Sequence, residues 1–192
     1  MRELLILVGL IGLLVSARSS LADHYRVPSG SMMPTVLVDD RIAVNKAAYG
    51  LRVPFTNRYF ANFAPPTHGD VVVLQSPEED KVLLKRIVAI PGDQVEVRSG
   101  ALILNGARVS LERHQTGELE QLGDVAHPIL RTREGGEDFG PSQVPSGQYL
   151  VLGDNRGDSR DGRFFGFVDG AAILGKAWGV YFRNGWFDWI GL

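Results

Sequence analysis

The sequence predicts one main domain that is mainly β, with strongly curved sheets and irregular loops. The chain has 192 residues, of which 44% are hydrophobic, so it is long and apolar enough to form a sizeable core. After Val27, frequent glycines and prolines (23 and 10 in the whole chain) break it into short runs in which apolar and polar residues alternate. This alternation is typical of β-strands, because successive side chains of a strand point to opposite faces.

Seven runs are assigned as strands. They cover residues 71–74, 82–90, 94–98, 101–104, 107–111, 149–152 and 177–182. The turn Pro91-Gly92-Asp93 ends the second run, and Asn105-Gly106 is a favoured two-residue hairpin turn between the fourth and the fifth. Residues 94–111 are therefore predicted to form a meander.

The segment 112–140 carries no clear strand signal. It is polar and rich in glycine and glutamate, and we interpret it as a surface excursion or a small inserted hairpin. No internal repeat is visible in the chain.

Residues 4–17 form an uncharged apolar stretch between Arg2-Glu3 and Arg18. As a helix it would cover about 21 Å of a hydrocarbon core that is about 30 Å thick. A span would therefore need snorkelling arginines or a thinned bilayer. Three interpretations stay open on these residues alone: a cleaved signal peptide, which the ending Val15-Ser16-Ala17 fits, an uncleaved membrane anchor, or a buried core helix.

The balance of charges argues against a nucleic-acid partner. Twenty basic residues against 22 acidic ones give a net charge of −2, whereas binding to a phosphate backbone requires a basic face. The densest run of arginines alternates with aspartates that are expected to neutralise it, in the order Asp154, Arg156, Asp158, Arg160, Asp161, Arg163. The chain has no cysteine, which excludes disulfides, thiolate nucleophiles and Cys-ligated zinc.

A serine-containing turn at residues 28–35, Pro-Ser-Gly-Ser-Met-Met-Pro-Thr, is the first candidate for chemistry. Gly30 permits a close approach of the backbone to a substrate, and the prolines at both ends stiffen the loop. A serine held in such a turn can act as a nucleophile, and an ordinary Ser/Gly/Pro turn is the alternative.

Lys85 is the second candidate, because it interrupts an apolar strand. Alternation places Lys85 on one face of residues 82–90 and Arg86 on the other. At least one of these charges is then expected to be partly desolvated, and burial lowers the pKa of a lysine toward the range in which it can act as a base. The alternative is a lysine that snorkels from an edge strand.

The sequence gives little indication of a histidine base or of a metal site. The histidines His24, His68, His114 and His127 have no neighbouring motif that suggests a triad, and there is no G-x-S-x-G or H-E-x-x-H sequence. We therefore expect no metal or other cofactor. A serine activated by a lysine is a known variant of the triad, and it matches the two candidates above.

In their order and spacing, four segments resemble the bacterial type I signal peptidases, which are membrane-bound serine peptidases that remove signal peptides from exported proteins. The segments are residues 28–35, residues 69–73 (Gly-Asp-Val-Val-Val), Lys85-Arg86 with Pro91-Gly92-Asp93, and residues 153–163 followed by Gly166. The resemblance implies that Ser31 is the nucleophile and Lys85 the general base. It also implies that the backbone N–H of Ser31 and the hydroxyl of Ser29 stabilise the oxyanion.

The same resemblance assigns supporting roles to five further residues. It implies that Ser159 hydrogen-bonds and orients the lysine, and that Asp161 and Arg163 form an ion pair close to the site. Arg86 and Asp154 match the family as well, and we interpret both as structural.

For the substrate, the resemblance implies signal peptides of exported preproteins, bound as an extended strand beside the catalytic strand and cut after small residues in an Ala-x-Ala pattern. It implies a fold of coiled antiparallel β-sheets with an apolar surface on the lipid bilayer. Shallow pockets for small side chains are assigned, by position relative to the motifs, to Val27, Pro28, Met32, Val73 and Leu84.

The resemblance also favours the uncleaved anchor. It implies a single-pass membrane segment within residues 1–22 and a catalytic domain over residues 23–192, on the outer side of the bacterial cytoplasmic membrane. The C-terminal aromatic residues can either meet the membrane interface or, for Trp178 and Phe182, pack in the core; they are Trp178, Tyr181, Phe182, Trp186, Phe187 and Trp189.

Two other functions are weighed against this one. The first is a Ser/Lys peptidase dedicated to a pilin or a conjugation protein, which the sequence does not separate from a general signal peptidase. The second is a non-catalytic, membrane-tethered module that binds extended exported chains. The joint presence of Ser29, Ser31, Lys85 and Ser159 argues against the second, because a binding module needs no base beside a hydroxyl.

Overall fold

The computed structural model describes residues 21–52, 59–114 and 117–192, and in addition Ile6. Apart from Ile6, the apolar stretch 4–17 lies outside the described residues. No helix within the described ranges is long and apolar enough to cross a bilayer. The membrane anchor therefore stays a prediction from the sequence.

The described residues form 17 strands, one short α-helix and three 3-10 turns. The strands are β1 (Ala22–Arg26), β2 (Arg41–Asn45), β3 (Gly50–Arg52), β4 (Tyr59–Asn62), β5 (Val71–Gln75), β6 (Val82–Ala89), β7 (Gln94–Arg98), β8 (Ala101–Leu104), β9 (Ala107–Arg108), β10 (Ser110–His114), β11 (Gly117–Leu122), β12 (Val125–Ile129), β13 (Phe139–Gln143), β14 (Gln148–Leu152), β15 (Val168–Asp169), β16 (Ile173–Arg183) and β17 (Trp186–Gly191). The helix α1 covers Gly162–Phe165, and the 3-10 turns cover Gly30–Met32, Arg133–Gly135 and Gly170–Ala172.

Eight strands form the main sheet in the order β1-β2-β16-β5-β6-β14-β15, with β17 paired to β16. Three smaller sheets have the orders β10-β11-β12, β13-β7-β8-β9 and β3-β4. All of these strand pairs are antiparallel. The mainly β prediction is therefore confirmed.

The main sheet is curled, as the sequence predicts. Three strands separate β1 from β6, which in a flat sheet would set the two about 19 Å apart. The turn that directly follows β1 nevertheless contacts β6 through a hydrogen bond between Ser31 and Lys85. Curling of the sheet is what brings these two side chains together.

The central strand β5 shows how the core supports this geometry. Val71 and Val73 pack into one buried cluster, which includes Val27 and Met32 on either side of the serine turn. On the opposite face, Val72 packs into a second cluster. Because both faces of β5 are covered, it reads as a continuous apolar run rather than an alternating one. The serine turn is thus anchored directly in the hydrophobic core.

Most predicted strands are confirmed within a residue or two. At the predicted hairpin turn, Asn105 and Gly106 have φ angles of 53° and 80°, as a two-residue turn of type I′ requires. Two strands differ from the prediction. The run 107–111 is interrupted at Val109 between β9 and β10, and the run 177–182 is the second half of the longer strand β16.

Residues 112–140 form more than the surface excursion or small hairpin that their polarity predicts. Their strands belong to β10-β11-β12 and to the sheet that contains β13. Glu120 is fully buried, and its carboxylate accepts two hydrogen bonds from the buried Arg156, at 3.0 and 2.5 Å. Leu130 N donates to the carbonyl of Asp154. The segment is thus packed against the loop that follows β14, in part through a buried ion pair that its polar sequence does not reveal.

The Glu120 pair allows a prediction about stability. Replacement of Glu120 by alanine should lower the free energy of unfolding by about 3–5 kcal/mol, because it leaves the buried Arg156 charge without the carboxylate that neutralises it. Glu118 lies two residues earlier in β11 and pairs with Arg131, but both side chains are 27% exposed. Its replacement by alanine should therefore cost less than about 1 kcal/mol. Urea unfolding of both variants compares them, and equal losses would contradict the assignment.

Candidate active site

Ser31 and Lys85 lie in direct contact. The 3-10 turn Gly30–Met32 presents Ser31, and the middle of β6 presents Lys85. Lys85 Nζ lies 2.7 Å from Ser31 Oγ, a distance at which a neutral amine can accept the hydroxyl proton. The prediction that Lys85 and Arg86 point to opposite faces is confirmed, since Arg86 contacts Asp154 instead.

Both charges on β6 are buried, with 3% of Lys85 and 2% of Arg86 exposed. Burial lowers the pKa of Lys85 to about 8, because the ammonium ion loses its hydration. The carboxylates of Asp161 and Asp154 act in the opposite direction and raise it. The amine is therefore neutral in a substantial fraction of molecules near pH 8.

Arg86 is held by an ion pair. Its Nε and Nη2 donate to the two carboxylate oxygens of Asp154 at 2.8 and 2.7 Å, and its Nη1 donates to the carbonyl of Gly69 at 2.7 Å. Burial alone would raise the pKa of Asp154, but the Arg86 guanidinium outweighs it and lowers the pKa. Thr35 Oγ1 donates to the same carboxylate at 2.5 Å. This pair ties the end of the serine turn to β6.

Asp161 and Arg163 form the expected ion pair. Arg163 Nε donates to Asp161 Oδ1 at 2.8 Å, and both side chains are fully buried. The Asp161 carboxylate also accepts from the N–H of Gly153 at 2.9 Å and caps the start of α1 through the N–H of Arg163. Burial raises the pKa of Asp161, and the bonds from Arg163 lower it by more. The pair thereby fixes the loop from residue 153 to residue 163.

The arginine and aspartate run in this loop is neutralised differently from the prediction. Only Asp161 and Arg163 pair within the run. Its other members pair with side chains from elsewhere in the chain: Asp154 with Arg86, Arg156 with Glu120, Arg160 with Glu78 and Asp158 with Arg133. The loop is therefore connected to several parts of the chain rather than to itself.

Ser159 lies in the same loop but does not form the predicted hydrogen bond with Lys85. Its hydroxyl is buried and has no hydrogen-bond partner among the described residues. A side-chain carbon placed on Gly153 would lie 2.3 Å from Ser159 Oγ and 2.4 Å from the carbonyl oxygen of Ser31. The Ser159 hydroxyl and the Ser31 carbonyl oxygen thus both lie against the face of Gly153 where a side chain would be.

Ser29 and Asn155 complete the surroundings of the serine. Ser29 precedes the 3-10 turn in extended conformation, and its side chain does not cap the turn, so its hydroxyl is not engaged there. Asn155 donates from its backbone N–H to the carbonyl of Ser31 at 3.0 Å and from Nδ2 to the carbonyl of Gly30 at 3.2 Å. Asn155 is not predictable from the sequence as a contact of the serine turn, since no local pattern reveals a contact across 125 residues.

A cleft of about 480 Å³ opens in front of the dyad. Ser29, Ser31 and Lys85 line it, as do all five residues predicted for the substrate pockets, Val27, Pro28, Met32, Val73 and Leu84. Strand β14 pairs with β6 only from Arg86 onward. On that edge, residues 82–85 have no strand partner within the described ranges, and the cleft runs along them.

The C-terminal aromatic residues are mostly exposed. Trp178 is 62% exposed, so of its two alternatives the core position is wrong; it packs edge-on against Trp189 at the surface. Phe182 is half-buried against Phe187. Trp186 and Phe187, on β17, are the most exposed of the set, at 78% and 84%. We call Trp178, Trp186, Phe187 and Trp189 the aromatic edge.

Across the described part of the chain, no group of histidine, aspartate and glutamate side chains is arranged to hold a metal ion.

Known proteins share sequence similarity with most of this chain. A family model described as signal peptidase, peptidase S26, matches residues 1–182. Signal peptidase I of Pseudomonas fluorescens is 35% identical over 90% of this chain and 67% of its own length, and that of Pseudomonas aeruginosa is 34% identical with the same coverage. A crystal structure of a signal peptidase I from Enterococcus faecalis V583 is 28% identical, covers 60% of this chain and 98% of that one, and has a TM-score of 0.44. On the family match and the two Pseudomonas relatives, the chain belongs to the type I signal peptidases of peptidase family S26.

Proposed function

We propose that the protein cleaves signal peptides from exported preproteins by Ser/Lys catalysis, with Ser31 as the nucleophile and Lys85 as the general base. The observation that carries this proposal is the 2.7 Å contact between Lys85 Nζ and Ser31 Oγ. It is supported by the burial of Lys85, which lowers its pKa to about 8. A lysine with this pKa is a base suited to work near neutral pH.

In the first step, Ser31 Oγ forms a bond to the carbonyl carbon of the scissile peptide while its proton passes to Lys85 Nζ. The carbonyl electron pair moves to the oxygen, which the N–H of Ser31 and the hydroxyl of Ser29 stabilise. The C–N bond then breaks, and the leaving amine takes the proton from Lys85. Water attacks the acyl ester in the same way, with Lys85 again as the base, so the reaction needs no cofactor.

The loop from residue 153 to residue 163 supports the dyad. The ion pairs Arg86–Asp154 and Asp161–Arg163 hold it in place, and the carboxylates of Asp154 and Asp161 raise the pKa of Lys85 against the effect of burial. Ser159 is proposed to orient the amine when substrate is bound. Its buried hydroxyl lies close enough to the Asp161 carboxylate to help lower the pKa of that group, and Asp161 in turn raises the pKa of Lys85. We propose these as supporting residues, because none of them lines the cleft.

We propose that the substrate lies as an extended strand between residues 25–29 and residues 82–85. The unpaired edge of β6 offers main-chain donors and acceptors for such a strand. Val27, Met32 and Val73 line the cleft and are each less than 5% exposed. Together with Pro28 and Leu84 they are proposed to form shallow apolar walls that accept only small side chains, as the proposed cleavage after an Ala-x-Ala pattern requires.

The site is proposed to work at the outer face of the bacterial cytoplasmic membrane, with residues 1–22 as a single-pass anchor and residues 23–192 as the catalytic domain. The apolar stretch 4–17 supports the anchor. The aromatic edge supports contact with the bilayer, because tryptophan side chains favour the membrane interface. Both features would hold the cleft near signal peptides as they leave the membrane.

Cleavage of a purified preprotein in detergent tests the proposed function. The wild-type protein should cut after the second alanine of an Ala-x-Ala site, as N-terminal sequencing of the product shows. Replacement of that alanine by leucine should lower kcat/KM by about 100-fold, because the larger side chain clashes with the shallow walls. Efficient cleavage of the leucine substrate, or inactivity on several signal peptides, would contradict the assigned specificity.

The pH dependence of the same reaction should follow the protonation of Lys85. Only the neutral amine can accept the Ser31 proton. The value of kcat/KM should therefore rise with pH through a single ionisation with a pKa of about 8, and fall about tenfold for each pH unit below that pKa. Steady-state rates measured from about pH 6 to about pH 10 give this profile. A flat profile over that range would exclude Lys85 as the base.

A further inference from the structure

Asn155 holds the serine turn from behind. It is 8% exposed, its Nδ2 donates to the carbonyl of Gly30 at 3.2 Å, and its backbone N–H donates to the carbonyl of Ser31 at 3.0 Å. Ser29, Gly30 and Ser31 line the cleft, whereas Asn155 is buried on the other side of them.

The residues on either side of Asn155 are fixed by buried ion pairs. Asp154 pairs with Arg86 and Arg156 with Glu120, and all four side chains are at most 3% exposed. A side chain between two such anchors has little freedom to move. Asn155 is thus a rigid support against which the turn is placed.

The contact with Gly30 determines the direction of a neighbouring donor. The carbonyl of Gly30 and the N–H of Ser31 belong to one planar trans peptide, so they point in opposite directions. The carbonyl accepts hydrogen bonds from Asn155 Nδ2 and from the N–H of Met33, the latter at 3.1 Å. With the carbonyl held on the buried side, the N–H of Ser31 is directed away from Asn155.

We infer that Asn155 is a positioning residue that aims the N–H of Ser31 at the developing oxyanion. The inference rests on the proposed function, which assigns that N–H as an oxyanion donor. The backbone bond to the Ser31 carbonyl is available to any residue at position 155, but only a side chain with a donor at this length reaches Gly30. The Asn155 side chain therefore orients the Gly30–Ser31 peptide, which carries the oxyanion donor. The backbone N–H of Asn155 instead holds the peptide that follows Ser31.

Asn155→Ala and Asn155→Asp test the inference in the full-length protein. Alanine removes the donor, and aspartate replaces it with an acceptor that repels the Gly30 carbonyl. Loss of one oxyanion donor costs about 10²- to 10³-fold in kcat, so misdirection of a donor that remains present should cost about 10- to 100-fold. KM, the melting temperature and the pH at half-maximal kcat/KM should change little in Asn155→Ala.

Two peptide ligands separate positioning from a structural role. In a peptide aldehyde, Ser31 Oγ bonds to the carbonyl carbon, its proton passes to Lys85 and the oxygen becomes the oxyanion, so affinity for it should fall in parallel with kcat/KM. A peptide with a reduced CH2–NH scissile bond has no carbonyl, and its affinity should stay within about threefold of wild type. Asn45→Ala is the matched control, because Asn45 makes a local bond to Ala47 N and lies in β2, away from the turn.

The outcomes are distinguishable. If Ser31→Ala remains active, the proposed function itself is wrong. If Ser31→Ala is inactive but both Asn155 variants keep kcat/KM near wild type, only the inference about Asn155 is wrong. Equal losses of affinity for both peptides, or a fall in melting temperature that accounts for the lost activity, would show a structural role and would also overturn it.

Discussion

Replacement of Lys85 by methionine should reduce the rate of signal-peptide cleavage by about 10⁴-fold or more, while it makes the folded protein more stable at pH 7. The loss of rate follows from the removal of the proposed base, since catalytic groups that act as a unit each cost about this much when deleted. Ser31→Ala should be equally inactive. The double variant should be no worse than either single one, because the two groups perform one proton transfer.

The gain in stability follows from the pKa of Lys85. Its fall from the ordinary 10.5 to about 8 on folding corresponds to a penalty of about 3 kcal/mol on the buried ammonium ion. Below pH 8 this penalty is fully present. Between pH 8 and 10.5 the unfolded chain binds more protons than the folded one, so the penalty declines as the pH rises. Methionine fills a similar volume without the charge, and its advantage should be largest at neutral pH and absent above both pKa values.

Preprotein cleavage assays and thermal unfolding of the same samples measure both effects. Lys46→Met is the matched control, because Lys46 lies outside the cleft and its nearest carboxylate, that of Asp23, is 3.9 Å away. It should keep wild-type activity and show no gain in stability. If Lys85→Met cleaved the preprotein at a wild-type rate, Lys85 would not be the base.

The second large effect is expected at Gly153. In Gly153→Ala the new methyl group would lie 2.4 Å from the Ser31 carbonyl oxygen and 2.3 Å from Ser159 Oγ, closer than real contacts allow. Because the neighbouring N–H groups of Gly153 and Asn155 are both hydrogen-bonded, the clash is expected to displace the serine turn. A displacement of about 1 Å can cost about 100-fold in rate, so kcat/KM should fall by about this factor.

Gly191→Ala provides the control for this substitution. A side-chain carbon on Gly191 would meet no atom within 4 Å, so its activity and stability should match the wild type. Circular dichroism of Gly153→Ala should show a folded protein. Wild-type kcat/KM in that variant would mean that the turn tolerates the displacement and that its position is less critical than the contacts suggest.

The sequence predicted the parts of this molecule that depend on local pattern. Regular alternation located β6 and placed Lys85 and Arg86 on opposite faces, and Asn105-Gly106 located the hairpin after β8. The serine turn was visible because proline, which restricts the backbone, and glycine, which frees it, together mark a turn. The pairing of Ser31 with Lys85 came from the family resemblance, since 54 residues separate them.

Other parts depend on contacts that leave no local trace. Strand β1, with the sequence Ala-Asp-His-Tyr-Arg, has too few apolar residues to be assigned, and it forms because it pairs with β2. Glu120 looked like a surface residue until its pairing with Arg156 placed it in the interior. Trp178 looked equally suited to the core or the surface, and only the pairing of β16 with β17, which brings Trp178 against Trp189 at the surface, decides between them. These features follow from tertiary pairing rather than from propensity.

The pKa of the Lys85 amine in the folded, active enzyme tests the central claim most directly. The chain has four lysines, Lys46, Lys81, Lys85 and Lys176, so ¹⁵N-lysine NMR gives few signals, and the Lys85→Met variant identifies the one that matters. We expect this amine to titrate with a pKa of about 8 and cleavage activity to follow the same curve. A pKa of about 10 or higher, the range of an unperturbed lysine, together with full activity at pH 8, would contradict the proposed mechanism.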